Sequence, residues 1–156
     1  MQQFERIERY LERIRGIYRG QPHYLAQKEC YEDDVISFFI HCHHMCDWVT
    51  QLNKARESKE SVNAFINSHA ELKVCADLCN QSKHCKIQRV RGSAKPYLSY
   101  RSWELTVFTP ESREPPIFKS RYKIICGNTI YDALELAETC FALWSEYIQA
   151  LRLRFV

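Results

Sequence analysis

The sequence lacks the short motifs that identify several large enzyme classes. It contains no P-loop, no G-x-G-x-x-G, no G-x-S-x-G and no H-E-x-x-H. Nucleotide hydrolases, Rossmann enzymes, serine hydrolases and zincins are therefore not expected. It also has no internal repeat and no low-complexity segment, and its 156 residues fit one domain covering residues 1–156.

Long apolar runs and an apolar leader are missing as well. The longest mainly apolar stretch, residues 35–49, is interrupted by His41, His43, His44 and Asp47, and it is too short and too polar to span a bilayer. The first residues, Met-Gln-Gln-Phe-Glu-Arg, contain no apolar core of a signal peptide. We therefore expect a cytoplasmic protein with no membrane partner.

The overall composition is that of a soluble globular protein. Hydrophobic residues make up 46% and charged residues 26% of the chain. The formal net charge of +3 permits an anionic partner but does not require one.

Apolar residues recur at helical spacing over most of the chain. We expect helices over residues 3–18, 29–52, 60–68, 69–85 and 130–151. Gly16, Gly20 and Pro22 should end the first helix. Ser68 with Glu71 has the form of a capping box for the fourth helix, and Thr129 should cap the last one.

Between the fourth and last helices the apolar period changes from about 3.6 to 2. The stretch 118–126 places Phe118, Ser120, Tyr122, Ile124 and Cys126 on one face, and the stretch 98–109 alternates in part. This pattern predicts an antiparallel hairpin at about residues 98–126. The fold class is therefore mainly α, a small helical bundle with a β-hairpin inserted before the last helix.

The eight cysteines are spread through apolar patterns, most of them helical. Cys42/Cys46 and Cys75/Cys79 are i, i+4 pairs, which two facing helices could combine into a four-thiolate zinc site. Free cysteine more often behaves as a small buried hydrophobe. We therefore expect most thiols to be reduced and buried, with no metal and no other cofactor.

One polar stripe stands out on the predicted helix 69–85. Asp77, Asn80 and His84 are spaced i, i+3 and i+7, with Lys83 beside them, so they share one helix face. The apolar residues fall roughly on the opposite side, so the stripe should face away from the core. These side chains suit cleavage of RNA by its own 2′-hydroxyl, with His84 exchanging the proton and Lys83 holding the phosphate. A solvated helix face is the alternative interpretation.

A second polar pair, His43 and Asp47, lies i, i+4 on the predicted helix 29–52. If that helix packs antiparallel to helix 69–85, the pair could meet Asp77 and His84. Such a set would suit zinc, manganese or iron, but bundles that bind two metals usually show Glu-x-x-His, which this chain lacks. We expect His41 and His44 to be solvated or interface residues.

Basic residues are concentrated in the predicted hairpin and just before it. Clustered cations interleaved with aromatic residues are typical of a nucleic-acid surface. The candidate nucleic-acid-binding residues are Arg89, Arg91, Arg101, Lys119, Arg121 and Lys123. The alternative is an edge hairpin protected by charge.

The run Asn80-Gln81-Ser82-Lys83-His84 near the end of the predicted helix 69–85 resembles the motif of the HEPN superfamily. It is also similar to small uncharacterised bacterial proteins with an Asp-x-x-Asn-x-x-Lys-His run. The resemblance implies a small helical bundle, often dimeric, of the kind found in toxin–antitoxin and phage-defence systems. It also implies metal-independent ribonuclease activity, with Asn80 as the polar residue and His84 as the catalytic histidine. In this sequence Cys79 occupies the position of the motif arginine.

Two functional hypotheses follow. The first is a metal-independent ribonuclease or RNA-binding protein of the toxin or defence type. It would be a homodimer in which the stripe of Asp77, Asn80 and His84 lines a cleft shared by both chains. The second is a non-catalytic HEPN-like binding or regulatory module that contacts a protein partner such as an antitoxin. The missing motif arginine favours the second hypothesis.

Overall fold

The computed structural model describes residues 2–26, 28–52, 58–83 and 90–153. The described residues form mainly α-helical structure with a small antiparallel sheet before the last helix. In chain order the elements are α1 (Gln2–Arg19), β1 (Gln21–Pro22), α2 (Lys28–His43), α3 (Met45–Leu52), α4 (Lys59–Ser68), α5 (Ala70–Lys83), β2 (Pro96–Thr106), β3 (Ile117–Cys126), β4 (Thr129–Asp132) and α6 (Ala133–Leu153). None of these helices is long and apolar enough to cross a membrane.

The hydrophobic core lies between the helices and one face of the sheet. On α1 the residues Ile7, Leu11, Ile14 and Ile17 are buried, as their helical spacing predicts. They pack against α2 and α6, and α2 packs in turn against α5. Burial of each such side chain contributes roughly 1.5–3 kcal/mol, so this stripe fixes α1 on the bundle.

In the first half of the chain the helix boundaries differ from the predicted ones at two places, and the last helix begins at Ala133 instead of residue 130. The predicted helix 29–52 is interrupted at His44, whose amide donates to the Ile40 carbonyl while its own carbonyl accepts from Asp47 and Trp48 to begin α3. The predicted capping box at Ser68 is wrong. Ser68 ends α4 and its hydroxyl donates to the Phe65 carbonyl, 2.7 Å away, while the His69 carbonyl accepts the first hydrogen bond of α5.

The predicted hairpin is confirmed and belongs to a larger sheet. β2 and β3 pair antiparallel from Pro96↔Cys126 to Thr106↔Ile117, with a bulge between Tyr100 and Ser102. The predicted inward face of β3 is buried at all five positions.

The sequence prediction did not include β1 and β4, which both pair with β3 on the edge opposite β2. Thr129 therefore lies in a strand after a two-residue turn, and Asp132 caps α6 through the amides of Leu134 and Glu135.

Between β1 and β4 the outer edge of β3 is completed by a side chain. The Tyr18 hydroxyl lies 2.9 Å from the Tyr122 carbonyl oxygen, to which it donates, and it accepts from the Tyr122 amide at 3.1 Å. Burial raises the pKa of Tyr18 to about 12, so the hydroxyl keeps its proton. One residue from α1 thus replaces the missing strand neighbour at the middle of the sheet edge.

The turn after α1 needs glycine for a close approach to the same strand. Gly20 has a φ of +97°, and a Cβ there would lie 2.6 Å from Lys119 Cγ and 2.7 Å from Ile117 Cγ2. This confirms the prediction that the first helix ends at Gly20, and it shows that the glycine also lets β1 pair with β3.

We expect Tyr18→Phe to lower the free energy of unfolding by about 1–3 kcal/mol, because it leaves two buried backbone groups of Tyr122 without a partner. Tyr24→Phe is the matched control, since Tyr24 is 73% exposed. Urea denaturation measures both variants. Equal stabilities of the two variants would contradict this account of the sheet edge.

Candidate functional site

A polar cluster lies where the break between α2 and α3 faces the end of α5. His44 Nε2 is 2.6 Å from Lys83 Nζ and 3.9 Å from Cys79 Sγ. A contact this short requires a neutral imidazole that accepts from the ammonium group. Burial, followed by the charge of Lys83, lowers the pKa of His44 and keeps its ring neutral. His44, expected from the sequence to be a solvated or interface residue, therefore holds Lys83 in place.

Asp77 does not face away from the core, so this part of the predicted stripe is wrong. Its side chain is buried at 1% exposure. Both carboxylate oxygens accept from the Arg91 amide, at 2.8 and 2.9 Å, and Oδ2 also accepts from the Gly92 amide at 2.8 Å. Asp77 thus positions the loop after α5 and is not available to a substrate.

Arg91 is brought to the cluster by this anchor. Its guanidinium donates to Asn63 Oδ1 at 3.0 Å and to Asn67 Oδ1 at 3.1 Å, both on α4. Neither amide oxygen carries a charge, so the full positive charge of Arg91 remains. Arg91 was predicted as a nucleic-acid-binding residue of the hairpin region. It lies in the loop after α5, and its contacts with α4 place its charge close enough to His43 to lower the pKa of that ring.

His43 and Asp47 belong to the same cluster. Burial, followed by the charges of Arg91, His44 and Lys83, lowers the pKa of His43 to about 4, while Asp47 acts in the opposite direction. His43 is therefore neutral at physiological pH. The structure thus brings the predicted secondary pair together with Lys83 and Arg91.

The remaining predicted site residues are placed less closely or not at all. Asn80 is half-buried on α5, one turn after Asp77. His84 and Arg89 lie outside the described residues. Arg101 lies in β2, but its side chain is also outside the described part of the chain.

The hairpin cations form a separate group on the outward face of β3. Lys119 lies 4.0 Å from the Glu104 carboxylate, and the Arg121 guanidinium lies 5.6 Å from the centre of the Tyr18 ring. Tyr18 and Gln3, whose side chain contacts the His41 carbonyl, are fifteen residues apart on α1. At 1.5 Å per residue the hairpin group is therefore separated from the α2–α3 break by roughly 22 Å along α1.

The burial predicted for the thiols is largely confirmed. Among the described residues, Cys42, Cys75, Cys79, Cys126 and Cys140 are buried and unpaired, Cys46 is half-buried and Cys30 is exposed. The Cys75 thiol donates to the Phe39 carbonyl at 3.4 Å, and burial raises the pKa values of Cys75 and Cys140. No group of three or more histidine, cysteine or acidic side chains within the described residues is arranged to hold a metal ion.

Sequence reasoning missed His44, Asn63 and Asn67. Their roles depend on contacts between residues 24 to 39 positions apart in the chain. The three closely spaced histidines were visible in the sequence, but their helical phase alone did not show which of them meets α5.

We expect Asp77→Ala to lower the free energy of unfolding by about 2–4 kcal/mol, because the backbone amides of Arg91 and Gly92 lose the carboxylate that accepts from them in a buried position. Asp33→Ala is the control, since Asp33 is an exposed helical residue and should change stability by about 0.5 kcal/mol or less. Thermal or urea denaturation gives both values. A loss no larger than that of the control would show that Asp77 does not anchor the loop.

We expect acidification to destabilise the protein partly through His43. Its folded pKa of about 4 lies below the ordinary value of 6.5, so the unfolded chain binds more protons between these values. Stability is therefore retained above about pH 6.5 and is lost as the pH falls towards about pH 4.

His43→Gln should reduce the stability difference between about pH 7.5 and about pH 5 by about 1–2 kcal/mol. His23→Gln, at an exposed position, should leave that difference unchanged. Urea denaturation at the two pH values measures the effect. The same acid loss in both variants would contradict the assignment to His43.

Comparison of the chain with family models, curated proteins and solved structures finds no match. The resemblance to the HEPN superfamily therefore stays a prediction from the residues of α5. Any function has to be argued from the geometry of the cluster.

Proposed function

We propose that the protein binds RNA and cleaves its phosphodiester backbone without a metal ion, at the cluster formed by His43, His44, Lys83 and Arg91. The observation that carries the proposal is the 2.6 Å contact between His44 Nε2 and Lys83 Nζ. It fixes an ammonium group beside two neutral imidazoles. A fixed cation beside proton-exchanging groups is the arrangement that phosphodiester transesterification requires.

The cations would act on the phosphate. In this reaction the 2′-oxygen attacks phosphorus, the 5′-oxygen leaves, and negative charge accumulates on the non-bridging oxygens in the transition state. Lys83 Nζ would donate to one of those oxygens. His44 is a positioning residue, because its ring holds the ammonium group in one place. Since the ring is neutral, it does not offset the positive charge of Lys83.

Arg91 supports the proposal from the loop side. Cys79 occupies the position where the HEPN motif has arginine, and it is buried. Arg91 reaches the cluster from the loop after α5 and keeps its full charge, because its guanidinium donates to the uncharged amide oxygens of Asn63 and Asn67. We propose that Arg91 supplies the positive charge that the motif arginine would otherwise provide.

The proton transfers are assigned to histidine. His84 follows Lys83 directly in the sequence and remains the proposed general acid or base. Asn80, which lies one turn before Lys83 on α5, would donate a hydrogen bond from its side-chain N–H to the phosphate. Asp77 takes no part, since its oxygens are occupied by the amides of Arg91 and Gly92.

The second candidate function is a non-catalytic module that contacts a protein partner, such as an antitoxin or a second copy of the chain. The observation in its favour is an apolar surface near the loop that joins β2 to β3, where Trp103 is 61%, Leu105 39% and Val107 69% exposed. Exposed apolar side chains in one place are typical of an interaction surface. The homodimer was predicted to form along the outward stripe of α5, and the burial of Asp77 removes that geometric motive.

We expect Lys83→Ala to lower the rate of RNA cleavage by about a hundredfold or more, because it removes the cation that stabilises the transition state. Lys95→Ala, an exposed loop position, should leave the rate within about twofold. The assay follows a fluorescently labelled single-stranded RNA in a buffer with EDTA. His84→Ala should also abolish cleavage and relieve any slowing of growth on expression.

A wild-type protein that leaves the RNA intact in this assay would exclude the nuclease proposal and favour the second candidate. Cleavage that EDTA stops would contradict the metal-independent mechanism. Circular dichroism of each variant shows that a lost rate does not come from unfolding.

A further inference from the structure

A second group of cations lies on α1, next to the proposed site. Five arginines project from this helix. Three of them meet carboxylates: Arg13 with Asp34 at 2.9 Å, Arg15 with Glu138 at 3.0 Å, and Arg19 with Glu12. Within the described part of the chain, Arg6 and Arg9 meet none. The Arg6 guanidinium donates to the neutral Gln3 Oε1, 3.3 Å away.

These two unneutralised arginines line one small cavity. Its volume is about 260 Å³, and its other lining residues are Tyr10, Arg13 and His41. Among the described residues no carboxylate lines it. Glu12 and Asp34 line the neighbouring groove of about 600 Å³, which Arg9 and Arg13 also border. The small cavity lies below the range of roughly 300–1,000 Å³ that holds drug-sized molecules. It suits a single anionic group of a larger ligand that lies across the surface.

Two stacked rings, those of Tyr10 and His41, line the cavity and add no negative charge to it. The Tyr10 and His41 rings stack with centroids 5.0 Å apart, and the Arg13 guanidinium lies 5.0 Å from the Tyr10 ring centre. Burial, then the charges of Arg6 and His44, lower the pKa of His41, so its ring is neutral. A phosphate group would meet two exposed guanidinium groups at the rim, each able to bind it in a bidentate manner.

The cavity is connected to the proposed cleavage site. The rings of His41 and His44 are 6.3 Å apart, edge to face, and His44 holds Lys83 at 2.6 Å. One continuous band of side chains therefore runs from Arg6 through His41 and His44 to Lys83. None of these four side chains carries a negative charge. The hairpin cations lie at the other end of α1, and two of them already contact Glu104 and Tyr18.

We propose that Arg6 and Arg9 bind a backbone phosphate of the RNA next to the one held by Lys83, so that the strand runs along α1 and not across the hairpin. This inference rests on the proposed function, since the ligand is the same RNA. It assigns a phosphate-binding site that neither the motif on α5 nor the basic hairpin indicated.

The test measures binding of a fluorescein-labelled 2′-O-methyl oligoribonucleotide, which cannot be cleaved because its 2′-oxygen is blocked. Fluorescence anisotropy over a range of salt concentrations gives the dissociation constant and its salt dependence. Three double variants each remove two positive charges from exposed or half-exposed positions. They are Arg6→Gln with Arg9→Gln, Arg15→Gln with Arg19→Gln, and Lys119→Gln with Lys123→Gln.

We expect the Arg6/Arg9 variant to bind about tenfold or more weakly and to lose about 1.4 from the slope of log affinity against log salt, as two lost phosphate contacts require. The Arg15/Arg19 variant has the same change of charge on the same helix and should bind within about twofold of wild type. The Lys119/Lys123 variant should do the same. Thermal denaturation of each variant shows that the fold is retained.

Two other outcomes would overturn the inference. If the Arg6/Arg9 variant binds like the Arg15/Arg19 control while the Lys119/Lys123 variant is weakened, the RNA crosses the hairpin. The inference then fails while RNA binding stands. If wild type itself does not bind the oligonucleotide at low salt, the inference and the proposed function fail together.

Discussion

The hydrogen bonds from the backbone amides of Arg91 and Gly92 to the Asp77 carboxylate fix the loop after α5 on that helix, and the positions of β2 and of the Arg91 side chain depend on them. They tie the middle of α5 to the loop that leads into β2. Gly92 lies so close that a Cβ there would be 3.4 Å from Asp77 Oδ2. Because the loop is fixed at this point, the sheet begins at a defined place and Arg91 reaches Asn63 and Asn67 on α4. A buried carboxylate that accepts backbone amides is costly to disrupt, since each amide would remain unpaired in the interior.

The same anchor shapes the electrostatics of the cluster. It places the charge of Arg91 beside His43, where Lys83 and burial already disfavour a protonated ring. The neighbouring His44 and His41 are also kept neutral by burial and by nearby cations. The cluster therefore combines fixed positive charges and uncharged imidazoles with the single carboxylate of Asp47, whose effect on His43 and His44 is outweighed. An anion that enters it would be attracted by the cations and would raise the affinity of the imidazoles for protons.

Much of the fold follows from the sequence. The apolar spacing on α1 and the strict alternation in β3 predicted their buried faces correctly, because each packs against the core on one side only. The burial of Asp77 did not follow, because α5 is covered by α2, α4, α6 and β2. Residues 74–79 are buried in succession around the whole helix. A single helical period therefore could not show which side of α5 is open.

The remaining differences also come from tertiary contacts. The residues of β4 directly precede α6 in the sequence, but their pairing with β3 makes them a strand. The sequence around the helix break at His44 contains no glycine or proline that would predict the break. At the site, the sequence identified Lys83, His43 and Arg91 but not how they combine. His44 brings Lys83 to the break between α2 and α3 through a contact between residues 39 positions apart in the chain.

The most direct test of the central claim is a nuclear magnetic resonance titration of the six histidine side chains with a short 2′-deoxyoligonucleotide, which binds without being cleaved. If a phosphate enters the cluster, the imidazole signals of His41, His43 and His44 should shift together, and their pKa values should rise. His23 and His69, which lie outside the cluster, should keep their signals. Shifts confined to His23 or His69, or unchanged signals at all three cluster histidines, would contradict the account.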